Sequence, residues 1–99
     1  MNKEINWNGI DCIVEIYQYN ADHRKSITLI EKGTGEPVAE ATVNLDLENL
    51  PKNHVYIKEW SENKGITKVL EDAGVIKWKN VKVEINDFGS YANICEILI

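Results

Sequence analysis

The sequence predicts an α+β domain: a mostly antiparallel sheet of about six strands with one helix, over about residues 62–73, packed on it. Three observations lead there. Several stretches alternate apolar and polar residues with period two, one late stretch switches to a helical period, and short clusters of Gly, Pro and Asn separate them. The 99 residues read as a single domain, 1–99. A chain of this length hides a little over roughly 60% of its unfolded surface on folding, enough for one core.

The first strand is GIDCIVEIYQY, where Ile10, Cys12, Val14 and Ile16 share one face and Asp11, Ile13, Glu15 and Tyr17 the other. NADHRK, residues 20–25, is a polar turn. SITLIEK follows, with Ile27 and Leu29 opposite Ser26 and Thr28, and then KGTGEP, whose two glycines and proline mark a hairpin turn. VAEATVNLDL is the cleanest alternation: Ala39, Ala41, Val43, Leu45 and Leu47 on a buried face, Glu40, Thr42, Asn44 and Asp46 on a wet one. A loop, ENLPKN, leads to the short strand HVYIK. Ile66, Val69, Leu70 and Ala73 then fall at i, i+3, i+4 and i+7, a narrow stripe suited to lying on a sheet. Gly74 stops that helix. VIKWK and VKVEI are two strands, or one bent near Lys79-Asn80, and NDFGS is a turn. YANICEILI is apolar on both faces, which places it centrally beneath the helix.

Composition excludes more than it identifies. Apolar residues make up 43% and charged residues 27%, ordinary values for a folded domain. No apolar run reaches the roughly 18 residues of a membrane helix, and the N-terminus lacks a signal-peptide core, so the expected location is cytoplasmic. Sixteen acidic against 11 basic residues give a net charge of −5, which disfavours nucleic acid and anionic membrane and suits a basic protein surface. Cys12 and Cys95 are too few and too far apart for a disulfide framework or a zinc site and read as reduced, buried thiols. His23 and His54 have no ligand-spaced neighbours. No metal, cofactor, catalytic residue or enzymatic activity is expected.

The candidate functional residues form three groups. In VYIKEWSENKG, Trp60 and the polar cluster Ser61, Glu62, Asn63 and Lys64 stand where the strand becomes the helix. Ser61 is expected as the helix N-cap and Glu62 in its first turn, leaving Trp60 over the sheet edge or exposed as a partner anchor. In KWKNVK, Trp78 sits among lysines, the pattern of an exposed edge strand guarded against pairing. Glu40, Asp46 and Glu48 line the wet face of one strand at about 6–7 Å spacing, with Glu15 and Glu84 joining them if strand order allows.

The run VYIKEWSENKGITKVLEDAGVI resembles the central part of a small domain family of unknown function carried by phages, conjugative elements and gut bacteria of the Firmicutes. The likeness rests on Glu59, Trp60, Ser61, Glu62, Asn63, Gly65, Ala73 and Gly74, and on the strand ATVNL before them. It brings no activity with it. What it implies is a setting in which small acidic proteins bind and block host defence components, as anti-CRISPR proteins do. The leading expectation is therefore a non-enzymatic inhibitor that covers a host defence protein, such as a nuclease with a basic groove. Its contacts would be Glu40, Asp46, Glu48, Glu59, Trp60, Glu62 and Trp78, with Tyr56 as a further aromatic anchor. The alternatives are an oligomeric sponge for a small nucleotide signal, with Trp78, Lys77 and Lys79 forming its pocket, or an accessory subunit of a conjugation system.

Overall fold

The computed structural model describes residues 3–19, 24–45 and 50–99. Asp46, Glu48, Leu47 and His23, singled out from the sequence, lie outside the described residues, as do most of the turn at 20–25 and the first two residues of the loop after Leu47.

The chain begins with a hairpin. β1 (Glu4–Trp7) turns into β2 (Ile10–Gln18) through Asn8 and Gly9, whose φ values are 53° and 86°. Two consecutive positive φ angles make a type I′ turn, whose twist matches that of the strands, and Asn-Gly tolerates them best. The turn pairs Trp7 with Ile10 and Ile5 with Cys12, so both β1 apolar side chains join the face that carries Cys12 and Val14. β3 (Lys25–Glu31) and β4 (Pro37–Glu40) complete a four-stranded antiparallel meander in the order β1-β2-β3-β4.

A second four-stranded sheet follows, in the order β5-β6-β8-β7. It contains β5 (Thr42–Val43), β6 (His54–Lys58), β7 (Ile76–Glu84) and β8 (Tyr91–Ile97), all antiparallel. Between β6 and β7 come a 3₁₀ turn, Ser61–Asn63, and the helix α1, Ile66–Asp72. The architecture is α+β and mostly antiparallel. The expected six strands are eight among the described residues, in two sheets, and the helix expected over 62–73 is shorter, its first part being the separate 3₁₀ turn.

The sheets meet at Ala41. Its N–H donates to the Ile27 carbonyl at 2.8 Å, and its carbonyl accepts from the Lys58 N–H at 2.8 Å, so one residue bonds to both sheets. Here the smooth alternation expected over 38–47 breaks: Ala41 and Thr42 are both buried. Thr42, expected on the wet face, turns inward because its Oγ1 can serve the corner. It accepts the Ile27 N–H at 3.2 Å and bonds the Tyr19 hydroxyl at 3.0 Å.

One hydrophobic core joins the two sheets. Cys12, Val14, Ile27 and Leu29 belong to it from the first sheet, and Val55, Ile57, Ile76, Cys95 and Ile97 from the second. Ile66 and Leu70 of α1 are fully buried in the same cluster. The helix packs against β1 of the first sheet and against β6 and β7 of the second, so it touches both. At seven residues it is too short to persist alone and depends on this docking.

β8 lies between β6 and β7, as its two apolar faces require. β7 is one strand with a bulge between Trp78 and Val81, where Asn80 takes φ 61°. It forms the outer edge of its sheet, with Lys77, Lys79 and Lys82 exposed along it, the guarded edge that KWKNVK suggests. Among the described residues no helix is long and apolar enough to cross a membrane.

Candidate functional site

The polar cluster at the strand-to-helix join is mostly engaged in holding the fold. Ser61 is not the N-cap of α1; it opens the 3₁₀ turn with φ 57°, and Gly65, at φ 91°, occupies the cap position without a side chain to offer. The missing cap comes from Glu59, at the end of β6. Its Oε1 accepts the Gly65 N–H at 2.6 Å, and its Oε2 accepts both the Thr67 N–H at 3.1 Å and the Thr67 hydroxyl at 2.6 Å. A carboxylate across the first helical N–H groups is favoured by both hydrogen bonding and the helix dipole.

Asn63 is 1% exposed, and its Nδ2 donates to the Glu40 carbonyl at 2.7 Å, tying the turn back to β4. Glu62 is exposed in the 3₁₀ turn and not in the helix. Bonds from its own backbone N–H and from Ser61 pull its carboxyl below the usual range, with Lys58 adding to them. Trp60 is half-buried, with Lys58 Nζ 5.9 Å from its ring centroid. Of the expected contact residues here, Glu59 is committed to the fold, while Glu62 and Trp60 remain partly on the surface.

Strand order brings Glu15 to the face of Glu40, while Asp46 and Glu48 of the expected ladder lie outside the described residues. Glu15 pairs with Thr28, and Thr28 with Glu40, so a row runs across β2, β3 and β4 on the outer face of the first sheet. Glu40 Oε2 accepts the Thr28 hydroxyl at 3.0 Å. Strand spacing puts the two acids roughly 10 Å apart. Tyr17 stands beside them and is 51% exposed, and the Glu15 charge is the first cause that raises its hydroxyl pKa, followed by slight burial, a Glu15 hydrogen bond and Glu40. Glu84 does not join the row; it lies on β7 in the other sheet.

Trp78 contributes to a cleft instead. Between α1 and the second sheet, a space of about 320 Å³ is lined by Glu59, Thr67, Glu71, Trp78, Tyr91 and Asn93, with Lys68 and Lys82 at its sides. Glu71 Oε2 accepts the Trp78 N–H at 3.0 Å, and the Trp78 indole N–H donates to the Val81 carbonyl at 3.3 Å, which fixes the ring. Lys82 Nζ lies 4.5 Å from the Tyr91 ring centroid. Asn93 is 5% exposed; its Nδ2 donates to Thr67 Oγ1 at 2.9 Å and its Oδ1 has no partner. The sequence points to Trp78 but pairs it with the wrong lysines. Lys77 and Lys79 project from the opposite face, where Lys79 Nζ meets Glu96 Oε1 at 3.8 Å. Tyr56 is also unavailable as an anchor: it is 3% exposed.

A second cavity, about 330 Å³, is lined by residues including Arg24, Lys25, Asn53 and His54. Its polar groups bond one another: Lys25 Nζ donates to Asn53 Oδ1 at 3.0 Å, and His54 Nδ1 meets the Lys52 carbonyl at 3.0 Å. Both cysteines are free and buried. Burial pushes the Cys95 thiol up to about 12, with the Glu71 and Glu59 charges adding to it, and burial also raises Cys12. Among the described residues no group of three or more His, Cys, Asp or Glu side chains converges as a metal site would. Set against known proteins, the chain matches no family model, no curated protein and no solved structure.

Proposed function

We propose that this chain is a small non-enzymatic binding protein of a phage or mobile element, inhibiting a host defence component by covering a basic surface on it. The observation that carries this reading is the row Glu15–Thr28–Glu40 with Tyr17 beside it. Two carboxylates roughly 10 Å apart on a rigid sheet face match cations arranged on a partner. A half-exposed tyrosine next to them supplies the amphipathic anchor that interface energetics favour. The net charge of −5 adds steering toward such a surface. The setting in phages and mobile elements comes from the likeness of the WSEN run alone.

The contact surface centres on Glu40 and Glu15, with Tyr17, because Glu59 is spent on the helix start and Tyr56 is buried. The test is a plaque assay. Expressed in a host whose nuclease-based immunity targets the infecting phage, the chain should restore plaquing toward the level of an immunity-deficient host. The double substitution Glu15→Lys with Glu40→Lys should abolish that effect while leaving the circular-dichroism spectrum unchanged. Restoration by the double variant, or none by the parent chain against any nuclease-based defence tried, would count against the reading.

A further inference from the structure

We propose that the cleft between α1 and the second sheet is a guanidinium site that receives an arginine side chain of the partner. The identity of the partner rests on the function proposed above; the chemistry of the cleft does not.

The first argument is an orphaned acceptor. Thr67 Oγ1 lies 2.6 Å from Glu59 Oε2, and a carboxylate can only accept, so the threonine hydroxyl must donate there. Its oxygen is then left to accept from Asn93, which requires the Asn93 amide nitrogen to face it at 2.9 Å. That orientation leaves Asn93 Oδ1 buried with no partner. A buried carbonyl oxygen without a donor is unfavourable, and a ligand that brings an N–H relieves it.

The second argument is the sign of the surroundings. Glu71 uses Oε2 for the Trp78 N–H, and its second oxygen stays available at the cleft wall. Glu59 adds a further negative charge. Trp78 and Tyr91 line the cleft, and aromatic ring faces attract cations and repel anions. Lys82 already places its ammonium over Tyr91 at 4.5 Å, an internal example of what the cleft attracts. The thiol of Cys95, the cross-strand partner of Trp78, is held protonated first by burial and then by the Glu71 and Glu59 charges. Lys68 and Lys82 also line the cleft, but Lys68 pairs with Asp72 at 3.3 Å and Lys82 lies over Tyr91, so a phosphate entering between Glu59 and Glu71 would meet two carboxylates.

The third argument distinguishes guanidinium from ammonium. The acceptors sit apart, one on the strand floor and one on the helix, with an aromatic wall beside them. A planar cation with several N–H groups in a fixed fork serves separated acceptors while stacking on an indole; a compact ammonium does neither as well.

The probe is Nα-acetyl-arginine amide, which carries the guanidinium as its sole charge, titrated into the ¹⁵N-labelled chain. Saturable shifts should appear at the Trp78 indole and Asn93 amide signals, with a Kd on the order of 1 mM, as a ligand of about fifteen heavy atoms allows. The uncharged citrulline analogue should bind at least about tenfold more weakly, and Glu71→Gln, which keeps an acceptor for the Trp78 N–H, should cost about tenfold. Lys82→Met should tighten the arginine probe by removing a competing cation. Shifts that never saturate, equal binding of the citrulline analogue, or tighter binding of adenosine monophosphate would overturn the inference. The two proposals separate cleanly: a chain that binds the probe but rescues no phage retains this site and loses the inhibitor reading. A chain that rescues phage but ignores the probe does the reverse.

Discussion

Glu59 Oε2 accepts two hydrogen bonds from a single residue, Thr67: the hydroxyl at 2.6 Å and the backbone N–H at 3.1 Å. With Oε1 on the Gly65 N–H at 2.6 Å, one carboxylate organises the whole passage from β6 into α1. It substitutes for a side-chain cap that Gly65 cannot provide.

The Glu59 carboxylate is therefore expected to matter to stability before anything else. Glu59→Ala should lower the unfolding free energy by about 1–2 kcal/mol, the range of a lost cap with a charge-assisted bond. Glu59→Gln should cost less, because one amide oxygen still accepts while the amide nitrogen cannot. Urea titrations followed at the tryptophans read both. A loss below about 0.3 kcal/mol for the alanine variant would mean that the helix start is held by packing alone.

Asn63 fastens the same region to the first sheet. Its amide donates to the Glu40 carbonyl at 2.7 Å from a position that is 1% exposed. Asn63→Ala removes the donor and leaves that carbonyl without its bond, at a cost of about 1–3 kcal/mol. At roughly 4–8 °C per kcal/mol for a domain of this size, the melting temperature should fall by several degrees. Glu40→Gln, which leaves the backbone carbonyl in place, should not reproduce that fall. Equal losses in the two variants would show that the Glu40 side chain, and not its carbonyl, is what matters.

These two residues show where the sequence is informative and where it is not. Period-two patterns locate β2 and β3, because each buries a face whose side chains alternate regardless of what covers them, while β8 is legible as a run apolar on both faces. The β1–β2 hairpin is also legible in hindsight: Asn8-Gly9 after Ile5 and Trp7 is a direct hairpin signal. The break at Ala41 is not. Ala-Thr continues the alternation perfectly, and only the pairing of Ala41 with both Ile27 and Lys58 reveals a corner. A sheet corner is a long-range relation between strands, and no local pattern encodes it. The same holds for the cap. Serine before a helix is the usual local signal, yet a longer acid two residues earlier reaches over it. The cleft was half visible, since Trp78 stands out, but its other walls are far away in sequence.

The thiols give a prediction about pH. Cys95 is pushed up from 9.0 to about 12, first by burial and then by the Glu71 and Glu59 charges. Its folded form thus holds the proton that the unfolded chain releases near 9.0, so the contribution to stability is complete below that pH and is lost as pH rises from 9.0 toward 12. The expected slope is up to about 1.4 kcal/mol per pH unit in that window. Cys12, raised first by burial, acts in the same direction. Urea titrations at pH 7, 9.5 and 10.5 should show flat stability followed by decline. Cys95→Ala should begin less stable, because it leaves a cavity, yet decline less steeply. An identical slope in that variant would assign the alkaline loss to other groups.

Asn93 carries the last prediction, because it sets stability against binding. Its Oδ1 is buried and unpartnered, and a group in that state is destabilising by about 1–3 kcal/mol. Asn93→Leu replaces it with an apolar side chain of similar size, beside a floor already lined by core residues such as Cys95 and Ile57. Thr67 keeps its bond to Glu59 and loses only the bond that it accepts from Asn93. The net expectation is a gain of about 1 kcal/mol in unfolding free energy, together with loss of the arginine probe's shifts at Trp78. Residues that serve a site at the expense of the fold behave in this way. If Asn93→Leu instead destabilises the chain by more than about 1 kcal/mol, the asparagine is a structural link between β8 and α1, and its carbonyl is satisfied by ordered water.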